Sequence, residues 1–485
     1  MDNKRDNIWL FGYDSAAQQE DTCYGNTKIN FDKKPLKSKF QYTSMNLRSD
    51  AAMISDTSGK LLFYTNGIYV ADSTHQPMKN GKGLNPGEFA DIHKDYGYIS
   101  EQGSLILPKP GSNYLYYLIH TPLVYDTKKP VNYQYFADKL YYSLIDMSKN
   151  NGKGEVIEKN KILYDKNELG VGKITACRHA NGIDWWIVVA DFVNTKYNVF
   201  LLSEKGVEFV SKQTFPKGKL SGIGQAVFSP DGTKYAYVNA YQVYNGLSID
   251  IFNFDRCAGV LSNQVSIVIP KDTTYCAGAS ISPNSRYLYA TAYQKVYQFD
   301  LQAADIFKSI DTVGVFDGII PKEFDIPNYF YLAQLAPDGK IYVSVPGTSK
   351  YLHVVNEPNK KGKACNFVQR GFTLAGNNYT TMPNFPNFRL GAAATPCNSV
   401  ASEEVVQGII KIYPNPTDNY IYIDYSKENL INNQLIISDI QGKIIFQKPL
   451  NEDKIDVSDY PNGIYFLQIR KDDRVIFREK VVILK

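Results

Sequence analysis

The 485-residue chain has no run of about 18 apolar residues, so no membrane-spanning helix is expected. It has no G-x-S-x-G and no H-E-x-x-H, which removes the nucleophile elbow and the helical zinc signature. Histidine is scarce, with five residues scattered at positions 75, 93, 120, 179 and 353. None of the six cysteines forms a C-x-x-C pair, which argues against a zinc ribbon or a thioredoxin-type site. The net charge of +4 is spread along the chain without basic clusters, so no nucleic-acid partner is expected. No apolar h-region opens the chain. Asp2–Asp6 runs straight into the strand-like Ile8-Trp-Leu-Phe, which reads as a cytosolic protein or as a mature chain whose leader has been removed.

What is abundant is tyrosine, 37 residues within an aromatic content of 13%, and that suits half-buried pleated surfaces. One pattern recurs: an apolar residue, a Ser/Pro/Asp/Gly turn and an alternating strand. It is clearest in FSPDGTKYAYVN (Phe228–Asn239) and is echoed at Ile54–Asn66, Leu107–Ile119, Arg178–Ala190, Ile281–Tyr293 and Leu335–Gly347. The turn residues Gly59, Gly111, Gly182, Gly232, Ser285 and Gly339 are spaced by 50 to 54 residues, except for one interval of 71. Hairpins at one phase of a ~50-residue period mark a propeller or solenoid. The absence of a helical period, Gln302–Ile310 aside, favours four-stranded blades. The expected fold is therefore all-β: a β-propeller over residues 1–397, with seven blades expected and six the alternative. The long interval points to an inserted loop near Tyr125–Ala137 or to part of an extra blade. Strand Asn7–Tyr13 is expected to lie beside strands near Phe385–Gly391 and close the ring, because closure removes exposed sheet edges.

Residues 398–408 read as a polar linker. From 409 to 485, short strands recur every 10–14 residues, as in a small Ig-like β-sandwich. Pro414 and Pro416 flank Asn415 in a tight turn, and Asn462-Gly463 marks a hairpin.

This tail resembles the type A C-terminal sorting domain of the Bacteroidetes type IX secretion system. The resemblance rests on Ile412-Tyr413-Pro414-Asn415-Pro416, on Leu435–Phe446 with Gly442, on Tyr460-Pro-Asn462-Gly463-Ile-Tyr465, and on a last strand with Lys480. It implies that these residues form a sorting signal read by the outer-membrane export machinery. It also implies secretion or cell-surface display after removal of a signal peptide, usually with later cleavage of the tail. The repeats resemble the WD40-like repeats of Tol-B-type propellers. The first 395 residues resemble secreted Bacteroidetes propellers, through NIWLFG (Asn7–Gly12), ISDTSGKLLFYTNG (Ile54–Gly67), His75–Gly81, LPKPG (Leu107–Gly111) and HANGIDW (His179–Trp185). That likeness implies a fold and a location but no reaction.

Candidate chemistry is sparse. His75 and His93 share a long loop with Asp91 and Asp95, which makes a ligand or metal loop conceivable, with ordinary polar loop residues as the alternative. His179 is expected to brace a hairpin turn. Asp56, Asp231 and Asp338 are expected to cap turns, since no dense D-x-D-x-D-G run exists. Trp185 and Trp186 could stack on sugars but are expected to pack within strands. An even cysteine count suits an oxidising compartment, with Cys257/Cys276 and Cys365/Cys397 as candidate disulfides and buried thiols as the alternative. No catalytic residue and no cofactor is expected. The favoured reading is a non-enzymatic protein- or glycan-binding propeller. The alternative is a hydrolase or lyase with its active site in the propeller channel.

Overall fold

The computed structural model describes residues 3–13, 24–130, 134–219, 221–240, 246–269, 277–395, 397, 411–424, 433–450, 452–471 and 474–485. Two compact units emerge, Met1–Pro396 and Cys397–Lys485. The sequence-expected linker 398–408, Cys23 and Cys276 lie outside the described residues.

The first unit is a ring of seven antiparallel blades. Blade 1 comprises Ile8–Gly12, Asn26–Asn30 and Ser38–Gln41. Blade 2 comprises Ala52–Ser55, Leu61–Thr65, Tyr69–Asp72 and Pro77–Lys82. Blade 3 comprises Ser104–Pro108, Leu115–His120, Leu140–Asp146 and Glu155–Tyr164. One parallel bridge between Lys79 and Glu155 joins the outer strands of blades 2 and 3 into a continuous eight-stranded sheet. Blades 4 to 7 begin at Thr175–Arg178, Ile223–Phe228, Ala277–Ile281 and Ala333–Leu335, and each has four strands.

Position in the blade explains the sequence pattern of each strand. Ser104–Pro108, Trp185–Ala190 and Tyr287–Ala292 are buried along their whole length, because neighbouring blades cover both of their faces. They accordingly read as continuous apolar runs rather than alternating ones. The outermost strands Glu155–Tyr164, Gly206–Thr214 and Val260–Ile269 mix buried and exposed positions, as solvent covers one side.

All six recurrent turns join the first two strands of a blade. Their key residues have φ of +93° (Gly59), +73° (Gly111, Gly182, Gly232), +60° (Ser285) and +81° (Gly339). At Gly232 space reinforces backbone. A Cβ there would approach the Cys177 sulfur to 2.7 Å. The aspartates cap these turns as expected: Asp56 Oδ1 accepts from the amides of Ser58 (2.9 Å) and Lys60 (3.0 Å), and Asp231 Oδ1 from that of Thr233 (2.9 Å). In blade 6, Asn284 Oδ1 takes the same place, accepting from Arg286 N at 3.2 Å. Successive connections in an antiparallel blade fall at opposite ends. The ring therefore has a turn face, bearing these six turns, and an insert face. The insert face carries the loop 83–103 with its short helix Glu88–His93, and the hairpin Val124–Tyr125/Tyr135–Phe136 inside blade 3. That hairpin accounts for the long 71-residue interval.

The chain ends meet to close the ring, but not as a strand pair. No strand forms at Phe385–Gly391. Pro383 and Pro386 deny the segment ladder donors, and it runs as extended chain along the inner side of blade 1. Phe385 stacks on Trp9 (6.1 Å between ring centres, 27° between planes), and Arg389 makes a two-armed ion pair with Asp6.

The second unit is a β-sandwich. One sheet pairs Lys411–Tyr413, Tyr420–Asp424 and Lys454–Asp456. The other runs Ile444–Pro449, Asn433–Asp439, Gly463–Lys471 and Arg474–Ile483 in spatial order. Its core includes Ile421, Ile423, Leu435, Ile437, Leu467 and Ile469, from alternating inward positions.

The cysteines correct one expectation. Cys365 does not pair with Cys397. It is a free thiol, fully buried in the turn Gly362–Cys365 against blades 6 and 7. Cys397 and Cys257 are both disulfide-bonded, and Cys177 is a second free, buried thiol.

Candidate functional site

The channel through the ring is filled by three amide side chains. Gln102, just before blade 3, accepts from Ala226 N (2.8 Å) and donates to Ala226 O (3.2 Å) on the inner strand of blade 5. Gln225 Oε1 accepts from Ala279 N (2.9 Å) and Ala333 N (2.7 Å), tying blade 5 to blades 6 and 7. Asn384, on the closing segment, donates to Ser104 O and Ile174 O (both 3.0 Å), and its Oδ1 accepts from Gln102 Nε2 at 3.2 Å. Such amides satisfy inner-strand groups that face the axis with no further strand to pair with.

On the insert-face side of these amides lies an ionisable group of residues. The Tyr331 hydroxyl, just before blade 7, donates to Glu101 Oε1 at 2.6 Å and so spans the channel. Lys173, just before blade 4, is 2% exposed. Its ammonium donates to Ser221 Oγ (3.0 Å), Val171 O (3.4 Å) and Gly222 O, which uses all three of its hydrogens. Burial pushes Lys173 down to about 7, partly offset by the charge of Glu101. Burial also raises the Glu101 carboxyl, offset by its bond from Tyr331. Asp50, fully buried, accepts from Ser104 N (3.1 Å) and Ser104 Oγ (2.5 Å) and is pushed up to about 7 by burial.

The same face carries a chain of aromatic rings. Tyr24 meets Tyr13 edge-on at 5.4 Å, and Tyr13 meets Tyr379 at 6.3 Å. Arg48 lies over Tyr379 at 4.8 Å and beside Tyr96 at 6.0 Å. Its charge also lowers the pKa of His93, after burial, so that ring belongs to the same neighbourhood. From His93 the rings continue through Phe89 (4.4 Å) to Tyr135 (6.3 Å) and Tyr125, the last two stacked at 4.5 Å and 22°. Tyr24, Tyr96, Tyr125 and Tyr135 are exposed.

The loop candidates separate. His75 lies in the turn before Pro77–Lys82, on the turn face, with Nδ1 3.1 Å from the Tyr64 hydroxyl. Asp91, His93 and Asp95 lie on the insert face, on or just after the short helix. Antiparallel geometry thus puts His75 at the opposite end of the blade from the other three. Among the described residues no group of three or more His, Cys, Asp or Glu side chains could hold a metal ion. His179 braces its turn, accepting from Asn181 N (2.9 Å), with Nε2 3.1 Å from Cys257 O. Trp185 and Trp186 are buried packing residues. Sequence reasoning missed Gln102, Gln225, Asn384, Glu101 and Lys173. None falls in the repeated turn, and only their shared place at or before inner strands, or on the closing segment, hints at the channel.

In the sandwich, the sorting-motif residues organise the edge and the last strand. Asn415 Nδ2 donates to Lys480 O (2.6 Å) and its Oδ1 accepts from Val482 N (2.9 Å), so one side chain pairs with the last strand much as another strand would. Pro414 and Pro416, both after cis bonds, flank it. Tyr413 stacks on Tyr422 at 5.9 Å. Gly442 takes φ +83° in a turn whose Asp439 Oδ1 accepts from Gln441 N and Lys443 N (both 2.9 Å). Asn462 Oδ1 accepts from Lys485 N (2.8 Å), Gly463 opens the following strand, and the Tyr465 hydroxyl donates to Pro461 O (2.8 Å).

These features define a β-propeller protein with a separate C-terminal β-sandwich. Residues 411–484 match the family described as the secretion system C-terminal sorting domain. The tail is thus a type IX sorting domain, and the protein is secreted or displayed at the cell surface. No helix among the described residues is long and apolar enough to cross a membrane. No curated protein matches the chain. Among solved structures, a protein assigned as a 6-phosphogluconolactonase from Bacteroides uniformis is similar at 11% identity and TM-score 0.47, covering 77% of this chain and 97% of its own. The periplasmic gluconolactonase PpgL of Pseudomonas aeruginosa gives 12%, 0.40, 77% and 96%. PorZ, a surface component of the type-IX secretion system of Porphyromonas gingivalis, gives 9%, 0.37, 95% and 63%. Likeness at this level carries no argument about activity.

Proposed function

We propose that the propeller is a non-enzymatic binding module, exported by its sorting domain, that holds a glycan on the insert face. The observation that carries this reading is the run of exposed tyrosines around Arg48, from Tyr24 to Tyr96 and on to Tyr125. Flat rings backed by buried neighbours offer apolar faces to sugar C–H groups, while the guanidinium and hydroxyls offer polar ones. The elements that break the repeat converge there, and binding residues concentrate on such loops. In support, the channel amides are committed to inner-strand backbone. The test is a glycan array probed with the full chain and with a Tyr24→Ala/Tyr96→Ala double variant. Binding that disappears in the variant supports the reading. Unchanged binding, or binding to protein partners alone, contradicts it.

A second reading has one specific observation behind it: a lysine near neutrality beside a raised carboxyl, as in acid–base sites. On that reading the protein is a hydrolase or lyase acting at the insert-face mouth of the channel through Glu101 and Lys173. Turnover of a polysaccharide or peptide panel, abolished in a folded Glu101→Gln variant, would establish it.

A further inference from the structure

A cavity of about 270 Å³ opens on the turn face at the opposite mouth of the channel. Small residues create it: Ala176, Ala226, Ala279 and Ala333 each come from the inner strand of a different blade. Its charged lining is Asp6, Arg178 and Arg389. Asp6 and Arg389 neutralise one another through bonds of 2.6 and 2.7 Å. Arg178 has no such partner. One terminal nitrogen donates to the neutral carbonyl of Ile183 (2.5 Å), and its Nε is buried without an acceptor. The guanidinium carbon lies over the Trp185 ring, 4.0 Å from its centre, and Trp185 is itself backed by Phe388 at 5.7 Å. Burial, and then the like charge of Arg5, push Arg178 down to about 10, partly offset by the charge of Asp184. A guanidinium preoriented over Trp185, on the wall of a cavity lined by small apolar residues and by the polar Thr175, Ser280 and Asn387, suits an anion.

We infer that this cavity is a binding site for a small monocarboxylate with an apolar body, its carboxylate on Arg178 and its body among the inner-strand alanines. Among the described residues Arg178 makes no ion pair and its charge is only partly offset by Asp184, so it matches one negative charge, and the alanines match an apolar body. The carboxylate could belong to a free organic acid or to the C-terminus of a peptide.

Calorimetry on the full chain distinguishes the outcomes. Phenylacetate, phenylacetamide, inorganic phosphate, and a short Phe-ended peptide as free acid or amide are titrated in turn. The expected result is binding of phenylacetate or the peptide acid, with the matching amide at least about tenfold weaker, since a hydrogen bond to a charged group is worth ~1.5–3 kcal/mol. Whichever acid binds more tightly names the source. Arg178→Gln should weaken the acid by a similar factor, and Ala279→Leu should fill the cavity and abolish binding. The acid–amide comparison in the unaltered protein stands even if a variant fails to fold. Acid and amide binding alike, phosphate binding as well as the acid, no binding by any acid, or unchanged affinity in a folded Arg178→Gln variant would each overturn the assignment.

Discussion

Arg389 grips Asp6 through two parallel hydrogen bonds of 2.6 and 2.7 Å, across 383 residues of chain. The pair does for the ring what strand pairing would have done had Pro383 and Pro386 not intervened. Asp6 is 9% exposed and Arg389 34%, so the bond is partly shielded from water and salt. Arg389→Ala leaves a nearly buried carboxylate short of two donors. The expected loss is about 2 kcal/mol, seen as a lower urea midpoint with an unchanged m-value. An unaltered midpoint would mean that aromatic stacking alone closes the ring.

Gln225 serves two blades through one oxygen. Gln225→Leu keeps most of the volume and strands the amides of Ala279 and Ala333. A loss of about 2–4 kcal/mol is expected, at roughly 1–3 kcal/mol per buried unsatisfied group with partial relaxation. Hydrogen exchange should be faster at both amides in the variant, and unchanged rates would contradict the bridging role of Gln225.

Asp50 and Lys173 make opposite contributions to pH dependence. The Asp50 carboxyl titrates near 7 when folded, against about 4 in the unfolded chain. The folded state therefore holds the extra proton between these values. The stabilising contribution is complete below pH ~4, falls as pH rises, and is gone above ~7, a change of about 4 kcal/mol. Asp50→Asn should remove this decline while keeping an acceptor for Ser104.

For Lys173 the folded value is lowered to about 7 from an unfolded value near 10.4. The unfolded state then holds the extra proton, so stability rises from pH ~7 to ~10 by a similar amount. Lys173→Met should flatten that rise. Together the two groups predict a stability minimum near neutrality, about 4 kcal/mol below either side, in unfolding curves taken from pH 4 to 10, and each variant should remove one side of it.

Asn415 ties the sorting motif to the last strand. Asn415→Ala removes both bonds, with an expected local loss of about 1–2 kcal/mol. Export of the full chain should fall while the propeller still folds. Fractionation of cells and medium reads the first effect, and proteolysis of the purified chain the second.

The six turns were legible because each repeats the same backbone demand. A left-handed residue closes each turn, after an Asp or Asn cap in five of the six, and even Ser285 meets that demand at φ +60°. The blade 3 hairpin was legible as the one departure from the period, whereas loop 83–103 lies within an ordinary 52-residue interval. The channel was not, because Gln102, Gln225 and Asn384 satisfy one another's neighbours across blades, and no spacing encodes a contact around a ring. The closing pair was half legible. The meeting of the chain ends follows from the need to remove edges, but the prolines turn the expected strand into a side-chain clasp. The loop histidines misled because His75 and His93 are near in sequence yet sit at opposite ends of a blade. Cys365 misled because an even cysteine count says nothing about which thiols the core buries.

The sorting tail takes this propeller out of the cell. The most direct measurement compares export of the full chain with that of a chain lacking residues 409–485, in a host with a type IX system. Retention of the truncated, folded propeller behind the outer membrane is the predicted result. Its appearance in the medium or on the surface at the level of the full chain would contradict the claim.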